Sequence, residues 1–130
     1  NLTCLVVDDS SWNLQILETY IRRAKIQPIT AINGADALER YKEAHQKGNP
    51  VDIIAIDYDM PVMDGKEALI KIRKYEEIQQ IGPCFAIMIS GHCEEKIMKE
   101  CLDTQGEIRA NYFLKKPFSY EQLIGIIEQL

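Results

Sequence analysis

The chain has 130 residues, the usual size of a single domain, and is long enough to bury a core without disulfides or metals. Its net charge of −5 argues against general nucleic-acid binding, which needs a basic surface, and no apolar run approaches the roughly 20 residues of a membrane helix. The four cysteines contain no CxxC pair, which favours reduced thiols and a cytoplasmic location: Cys4, Cys84, Cys93 and Cys101.

Five short apolar runs alternate along the chain with longer amphipathic stretches. The runs are rich in β-branched residues, as the buried strands of a parallel sheet are. We therefore predict five strands, within Leu2–Val7, Ile26–Ile32, Val51–Ile56, Cys84–Ile89 and Tyr112–Leu114.

A helical pattern follows each of these runs, and capping residues mark the start of some of the helices. The first helix begins at Ser10 or Ser11 and runs through Lys25, the second opens at Asn33-Gly34 and ends near Gly48, the third opens at Gly65, the fourth spans about Glu94 to Leu102, and Ser119 caps the fifth. Strands alternating with helices predict an α/β fold in which helices cover both faces of a parallel sheet.

A flavodoxin-like (βα)5 fold, with a doubly wound five-stranded sheet in the order 2-1-3-4-5, is the natural arrangement at this length. We expect residues 1–130 to form one domain. Because the chain starts at Asn1, almost directly in the first strand, we also expect it to be a piece of a longer protein.

In such folds the ligand site lies beyond the carboxyl ends of the strands. Asp8 and Asp9 end the first strand, Asp57 ends the third, and Asp59 follows just after it. Adjacent strands are about 4.8 Å apart, so Asp8, Asp9 and Asp57 are expected to converge. A single Asp is as often a helix cap or a loop residue. Three converging carboxylates, however, repel one another unless a cation is present, and their hard oxygen atoms suit Mg²⁺ or Mn²⁺.

Two further polar residues end the fourth and fifth strands. Ser90 brings a hydroxyl group, and Lys116 brings a positive charge that faces the acid cluster. An acid, a metal, a lysine and a hydroxyl group around one carboxylate fit phosphoryl transfer, in which catalysis is mostly positioning and charge neutralisation. Asp side chains do serve as phosphoryl acceptors.

The sequence resembles the receiver domains of two-component response regulators and hybrid histidine kinases. The resemblance covers essentially the whole chain. It is carried by Val6–Ser10, by Asp57–Gly65 (Asp-Tyr-Asp-Met-Pro-Val-Met-Asp-Gly), by Met88–Gly91 and by Phe113–Phe118. Asn13, four residues after Asp9, looks more like the receivers of hybrid kinases than like free-standing regulators.

The resemblance implies a role for each matching residue. Asp57 is the phosphoacceptor and also a metal ligand. Asp9 binds the metal directly, Asp8 acts largely through water, and Asp59 contributes its backbone carbonyl. Lys116 and Ser90 bind phosphoryl oxygens, and Phe113 is the aromatic side chain that changes rotamer on activation. The partners implied are a histidine kinase or a histidine phosphotransfer protein, and the domain catalyses its own phosphorylation and dephosphorylation.

The side chains of Asp59 and His92 are expected to flank the approach of water to the phosphorylated Asp57 and so to modulate hydrolysis. Two segments look longer than the family norm: Tyr75–Pro83, and the stretch around Thr104–Glu107 between the fourth helix and fifth strand. We expect Trp12, on the first helix beside the acid pair, to be a packing residue.

Three other interpretations fit parts of the sequence. An Asp-nucleophile, Mg²⁺-dependent phosphatase shares the chemistry, and Asp57-x-Asp59 has the spacing of its nucleophile and its acid/base, but there the nucleophile follows the first strand. A flavin-binding module would need a phosphate loop after the first strand, where Asp8 and Asp9 would repel a phosphate. A degenerate receiver that only mediates contacts would not be expected to keep a complete site.

Overall fold

The computed structural model describes residues 1–92 and 94–130, so Cys93 lies outside the described residues. The five strands are β1 (Thr3–Val7), β2 (Gln27–Ala31), β3 (Ile53–Asp57), β4 (Phe85–Ser90) and β5 (Tyr112–Lys115). The five helices are α1 (Ser11–Arg23), α2 (Gly34–Gln46), α3 (Gly65–Gln79), α4 (Glu95–Leu102) and α5 (Tyr120–Ile127).

All strand pairs are parallel, and the order β2-β1-β3-β4-β5 is the one predicted. Asp57 is the last residue of β3 and lies opposite Ile89, and Ser90 is the last residue of β4 and lies opposite Lys115. The register therefore brings the ends of β3, β4 and β5 level with one another. This places the polar residues predicted for the site along a single edge of the sheet.

Each face of the sheet carries its own hydrophobic core, because successive strand residues point to opposite faces. Leu5 and Val7 of β1 belong to the core beneath α2, α3 and α4, whereas Cys4 and Val6 belong to the core beneath α1 and α5. All five residues of β1 are buried, which is why its sequence reads as a continuous apolar run rather than an alternating one.

Side chains cap the first turns of four helices, as short polar residues do at N-caps. The caps are Ser10 for α1, Asn33 for α2, Asp64 for α3 and Ser119 for α5, and each accepts a hydrogen bond from the backbone N–H three residues further on. Three of these caps were expected from the sequence, but Asp64 was not.

A buried polar network that was not predicted joins α3 to the segment between α4 and β5. The guanidinium group of Arg73, only 2% exposed, pairs with Glu76 at 2.8 Å. It also donates to the backbone carbonyls of Ile108, Arg109 and Cys84 at 3.2, 2.9 and 3.0 Å. Arg73 thereby satisfies carbonyl groups that the turn of the chain before β5 would otherwise leave unpaired.

Glu76 extends this network to α2 and β4. Its carboxylate accepts from the hydroxyl of Tyr41 at 2.6 Å and from the backbone N–H of Cys84 at 2.8 Å. Burial is the main reason that the pKa of Tyr41 lies above its usual range, and the neighbouring Cys84 and Glu76 add to the effect. The phenol therefore stays protonated and acts as a donor to Glu76.

The longer segment expected around Thr104–Glu107 lies in the connection between α4 and β5, which runs from residue 103 to residue 111. Ile108 and Ala110 from this connection are buried in the core with Cys101. Arg109 has a left-handed backbone (φ 49°), and its side chain pairs with Glu77 of α3 at 2.6 Å. The connection is therefore packed and hydrogen-bonded against α3.

The expectation that Trp12 packs into the fold is wrong, because its side chain is 72% exposed. It lies in the first turn of α1, on the face turned away from the buried Leu17 and Ile21. None of the helices in the described part of the chain combines the length and the apolar character needed to cross a bilayer.

Candidate active site

Three carboxylates meet at the carboxyl edge of the sheet. One oxygen from each of Asp8, Asp9 and Asp57 lies within 4.8 Å of the other two. Asp8 and Asp57 are buried and Asp9 is exposed. Asp8 is fixed in orientation because its Oδ1 accepts the backbone N–H of Ser10 at 2.9 Å, where β1 turns into α1.

Lys116 supplies the positive charge of this cluster. Its Nζ lies 3.1 Å from Oδ2 of Asp8 and 3.2 Å from Oδ1 of Asp57. The backbone N–H of Lys116 donates to the carbonyl of Ser90 at 2.9 Å, so the lysine is placed by the end of the sheet. Burial works against the charged ammonium, but Asp8 and Asp57 outweigh it and raise the pKa of Lys116. The lysine therefore stays charged.

Burial raises the pKa of Asp57 to about 6. The ammonium of Lys116 lowers this pKa, and the charges of Asp8 and Asp9 raise it further. Three ionised carboxylates and one ammonium leave a local charge of −2. This negative charge and the hard oxygen donors fit a divalent cation such as Mg²⁺.

Ser90 is fully buried at the end of β4, beside the strand that carries Asp57. Its Oγ accepts the backbone N–H of His92 at 3.0 Å, which ties the hydroxyl to the start of the β4–α4 connection. Phe113 lies deeper, buried in β5 opposite Met88 and within the core that α4 covers. Ser90 thus lies two residues further along β4 than Met88, which is the partner of Phe113 in the sheet.

The connection between β3 and α3 forms the other rim of the site. Asp59 is exposed there, and its Oδ2 lies 3.6 Å from Nε2 of His92, which is also exposed. The connection returns close to Asp57, because the N–H of Gly65 donates to the carbonyl of Tyr58 at 3.0 Å. A Cβ built on Gly65 would clash with the carbonyl oxygen of Asp57, so only glycine fits at this start of α3.

The structure brings seven of the eight predicted site residues to one edge of the sheet: Asp8, Asp9, Asp57, Asp59, Ser90, His92 and Lys116. The eighth, Phe113, is in the core behind them. Sequence reasoning did not find the steric role of Gly65. Its position directly after the Asp64 cap, at the start of the helix that follows the strand ending in Asp57, was the available signal.

Comparisons with known proteins agree with this fold. The chain matches the response regulator receiver domain over residues 4–128. It is 32% identical over 107 residues to the response regulator SSK1 of Verticillium dahliae, and 30% identical over 126 residues to the hybrid signal transduction histidine kinase M of Dictyostelium discoideum. These alignments cover 82% and 97% of this chain, but only 12% and 5% of the relatives' own lengths.

Among solved structures, the complex of CheX and CheY with beryllofluoride and magnesium from Borrelia burgdorferi contains a similar chain. The TM-score is 0.82 at 26% identity, covering 98% of this chain and 87% of the other. A parallel sheet with an acid cluster and a lysine at its carboxyl edge defines an α/β domain equipped for phosphoryl chemistry. The chain belongs to the response regulator receiver domain family.

Proposed function

We propose that this receiver domain accepts a phosphoryl group from a phosphohistidine donor onto Asp57 and relays the signal by a change of conformation. The observation that carries the proposal is the position of the Lys116 ammonium, between Asp8 and Asp57 in a cluster of three carboxylates. Such an arrangement neutralises charge around a carboxylate nucleophile, which is the main requirement of phosphoryl transfer.

In the proposed reaction an oxygen of Asp57 attacks the phosphorus atom, an acyl phosphate bond forms, and the bond from phosphorus to the donor imidazole breaks. The imidazole leaves with the bonding electrons and takes up a proton to become neutral. Lys116 pairs with one phosphoryl oxygen, and the buried hydroxyl of Ser90 donates to another. Both groups are placed near Asp57 by the ends of neighbouring strands.

Asp8, Asp9, Asp57 and the backbone carbonyl of Asp59 are the proposed protein ligands of the metal, Mg²⁺ or Mn²⁺. The exposed Asp9 is free to bind the ion directly, whereas Asp8 is held by Lys116 and Ser10 and acts through water. When bound, the ion supplies the positive charge that phosphoryl oxygens need beside three carboxylates. The related CheY complex from Borrelia burgdorferi contains magnesium and a beryllofluoride group.

Hydrolysis of the phosphorylated Asp57 is proposed to depend on Asp59 and His92. These two side chains come from the connections that follow β3 and β4 and approach each other to 3.6 Å. A water molecule must reach the phosphorus atom in line with the bond to Asp57. The pair therefore restricts the path of this water, and the domain catalyses its own dephosphorylation at a rate that the pair helps to set.

The proposed partner is a histidine kinase or a histidine phosphotransfer protein. This follows from the relatives, one a response regulator and the other a hybrid histidine kinase. Both are much longer than this chain, and we propose that residues 1–130 are one domain of a longer protein. A cytoplasmic location is also proposed, because Cys4, Cys84 and Cys101 are free and buried.

An Asp-nucleophile phosphatase is the alternative that shares this chemistry. It is not favoured, because the candidate nucleophile ends β3 rather than β1 and residues 4–128 match the receiver domain family. Turnover of p-nitrophenyl phosphate separates the two functions. A receiver domain is expected to hydrolyse it no faster than its Asp57→Asn variant does.

Incubation with acetyl phosphate and Mg²⁺ tests the proposed function, since this small donor replaces the phosphohistidine. Intact-mass spectrometry is expected to show one added phosphoryl group on the parent protein and none after chelation of the metal. The Asp57→Asn variant is the matched control, and labelling of that variant at the parental level would overturn the assignment.

A further inference from the structure

The segment that would supply the backbone ligand to the metal is residues 58–64, called the metal-binding loop below. Its centre is a three-residue turn in which the N–H of Met63 donates to the carbonyl of Pro61 at 2.9 Å. Val62, at the middle of this turn, has φ +71° and a side chain that is 84% exposed. A β-branched residue is strained in this region, so the turn needs support from neighbouring structure.

That support comes from the first residue of α2. The backbone N–H of Gly34 donates to the carbonyl of Met63 at 2.9 Å. Within residues 1–92 and 94–130, no other hydrogen bond reaches residues 59–63 from outside the loop. The N–H groups in the first turn of a helix lack partners inside the helix, so the start of α2 is suited to hold a carbonyl.

Glycine is also the only residue type at position 34 that lets the start of α2 come this close to the metal-binding loop. A Cβ built on Gly34 would clash with the carbonyl oxygen of Met63 and would lie 2.9 Å from both the carbonyl oxygen of Asp64 and Cγ of Met63. Two of these three atoms belong to the backbone and cannot rotate away. The glycine is required by close packing, since it has no positive φ.

We propose that Gly34 is a positioning residue for the metal site. It holds the strained turn of the metal-binding loop so that the carbonyl of Asp59 faces the acid cluster. This inference rests on the proposed function, because it assigns Gly34 a role in the binding of Mg²⁺. Gly34 belongs to a different element from every proposed ligand, and its contact with the loop is at Met63 and Asp64.

Gly34→Ala is expected to raise the Mg²⁺ dissociation constant about tenfold, the usual scale when a group that supports a metal ligand is lost. Calorimetric titration of the metal-free protein measures this constant. The amide NMR signals of Asp59 and Met60 are expected to shift in the metal-free variant. Phosphorylation by acetyl phosphate is expected to return to the parental rate at saturating Mg²⁺. Gly82→Ala is the matched control, because a Cβ at Gly82 meets nothing within 4 Å.

A second pair of variants keeps the test independent of any folding defect in Gly34→Ala. Asn33→Ala removes the cap of α2 beside Gly34, and Ser119→Ala removes the corresponding cap of α5. The two changes are expected to lower the thermal midpoint by similar amounts, but only Asn33→Ala is expected to weaken Mg²⁺ binding. Unchanged Mg²⁺ affinity in both Gly34→Ala and Asn33→Ala would overturn the inference. A parent protein that binds no Mg²⁺ would instead overturn the proposed function.

Discussion

The ammonium nitrogen of Lys116 lies 3.2 Å from Oδ1 of Asp57, although Asp57 ends β3 and Lys116 follows β5, two strands that are not adjacent in the sheet. Even with this partner, burial holds the pKa of Asp57 at about 6. Burial of the Asp57 carboxylate disfavours its charged form and therefore lowers the stability of the fold at neutral pH. Such destabilised ionisable groups are typical of functional sites.

Asp57→Asn is therefore expected to stabilise the metal-free protein at pH 7, by about 1–3 kcal/mol. The pKa of Asp57 is raised from 3.8 to about 6. Protonation of Asp57 therefore stabilises the folded state fully below about pH 4, and this stabilising free energy is lost as the pH rises through 6. The higher free energy of unfolding of Asp57→Asn, relative to the parent, should therefore develop between about pH 4 and pH 6. Urea unfolding at several pH values measures it.

Glu107→Gln is the control for that comparison, because Glu107 is exposed and its replacement should change the free energy of unfolding by less than about 0.5 kcal/mol. Saturating Mg²⁺ should reduce the advantage of Asp57→Asn, since the metal stabilises the parent by binding its folded state. A parent that is as stable as the Asn variant at pH 7 without metal would contradict the account of Asp57.

Ser90→Ala is expected to separate phosphorylation from the conformational response. In the resting domain the Ser90 hydroxyl oxygen accepts from the N–H of His92, and a phosphoryl group on Asp57 would offer acceptor oxygens to the hydroxyl proton. Movement of Ser90 would shift the end of β4 and change the packing around the ring of Phe113, which is buried. The contact between Ser90 and the phosphoryl group exists only in the phosphorylated domain. It is this difference between the two states that can shift the population toward the conformation with Phe113 rearranged.

NMR spectra with beryllofluoride and Mg²⁺ measure the response. Ser90→Ala should still bind the phosphoryl mimic, but the shifts around Phe113 should be much smaller than in the parent. Ser90→Thr keeps the hydroxyl group and should therefore retain the chemical shift changes around Phe113. A full parental shift pattern in Ser90→Ala would show that Phe113 is not coupled to the site through Ser90.

The lifetime of the phosphorylated state is expected to depend on the Asp59–His92 pair. Asp59→Ala and His92→Ala should each open the path of water and speed the loss of the phosphoryl group several-fold, as measured by the decay of label after removal of the donor. His45→Ala alters the other histidine, on α2 away from the site, and should leave the decay rate unchanged. Parental rates in both site variants would mean that water arrives by another route.

Arg73→Met is expected to destabilise the domain by about 3–5 kcal/mol, because it leaves the buried carboxylate of Glu76 without its partner. Adding Glu76→Gln should recover part of this loss by removing the uncompensated charge. Arg22→Met breaks an exposed ion pair with Glu18 and should cost at most about 1 kcal/mol. Equal effects of the two arginine substitutions on thermal unfolding would contradict the importance of the buried network.

The sheet order and the convergence of Asp8, Asp9 and Asp57 were predictable, because apolar runs mark the strands and parallel strands end at one edge. The burial of Arg73 and Glu76 was not predicted, since charged residues on a helix usually face water. A signal was available: Arg73 and Glu76 stand four residues after the buried Leu69 and Ile72, on the same face of α3.

Other features depend on contacts that no local pattern encodes. The approach of Gly34 to Met63 joins the start of α2 to a turn almost 30 residues away, and its cause is the packing of two connections. The exposure of Trp12 was missed because a large aromatic residue is usually at least partly buried. Sequence patterns therefore located the site, but they did not identify what holds it in shape.

The most direct test of the account is to locate the phosphoryl group chemically. After labelling with acetyl phosphate and Mg²⁺, borohydride reduces an aspartyl phosphate to homoserine, which peptide mass spectrometry can place. The account predicts homoserine at position 57 and at no other Asp, with none formed when the metal is chelated. Homoserine at Asp8, Asp9 or Asp59 in place of Asp57, or its absence from a labelled protein, would contradict it.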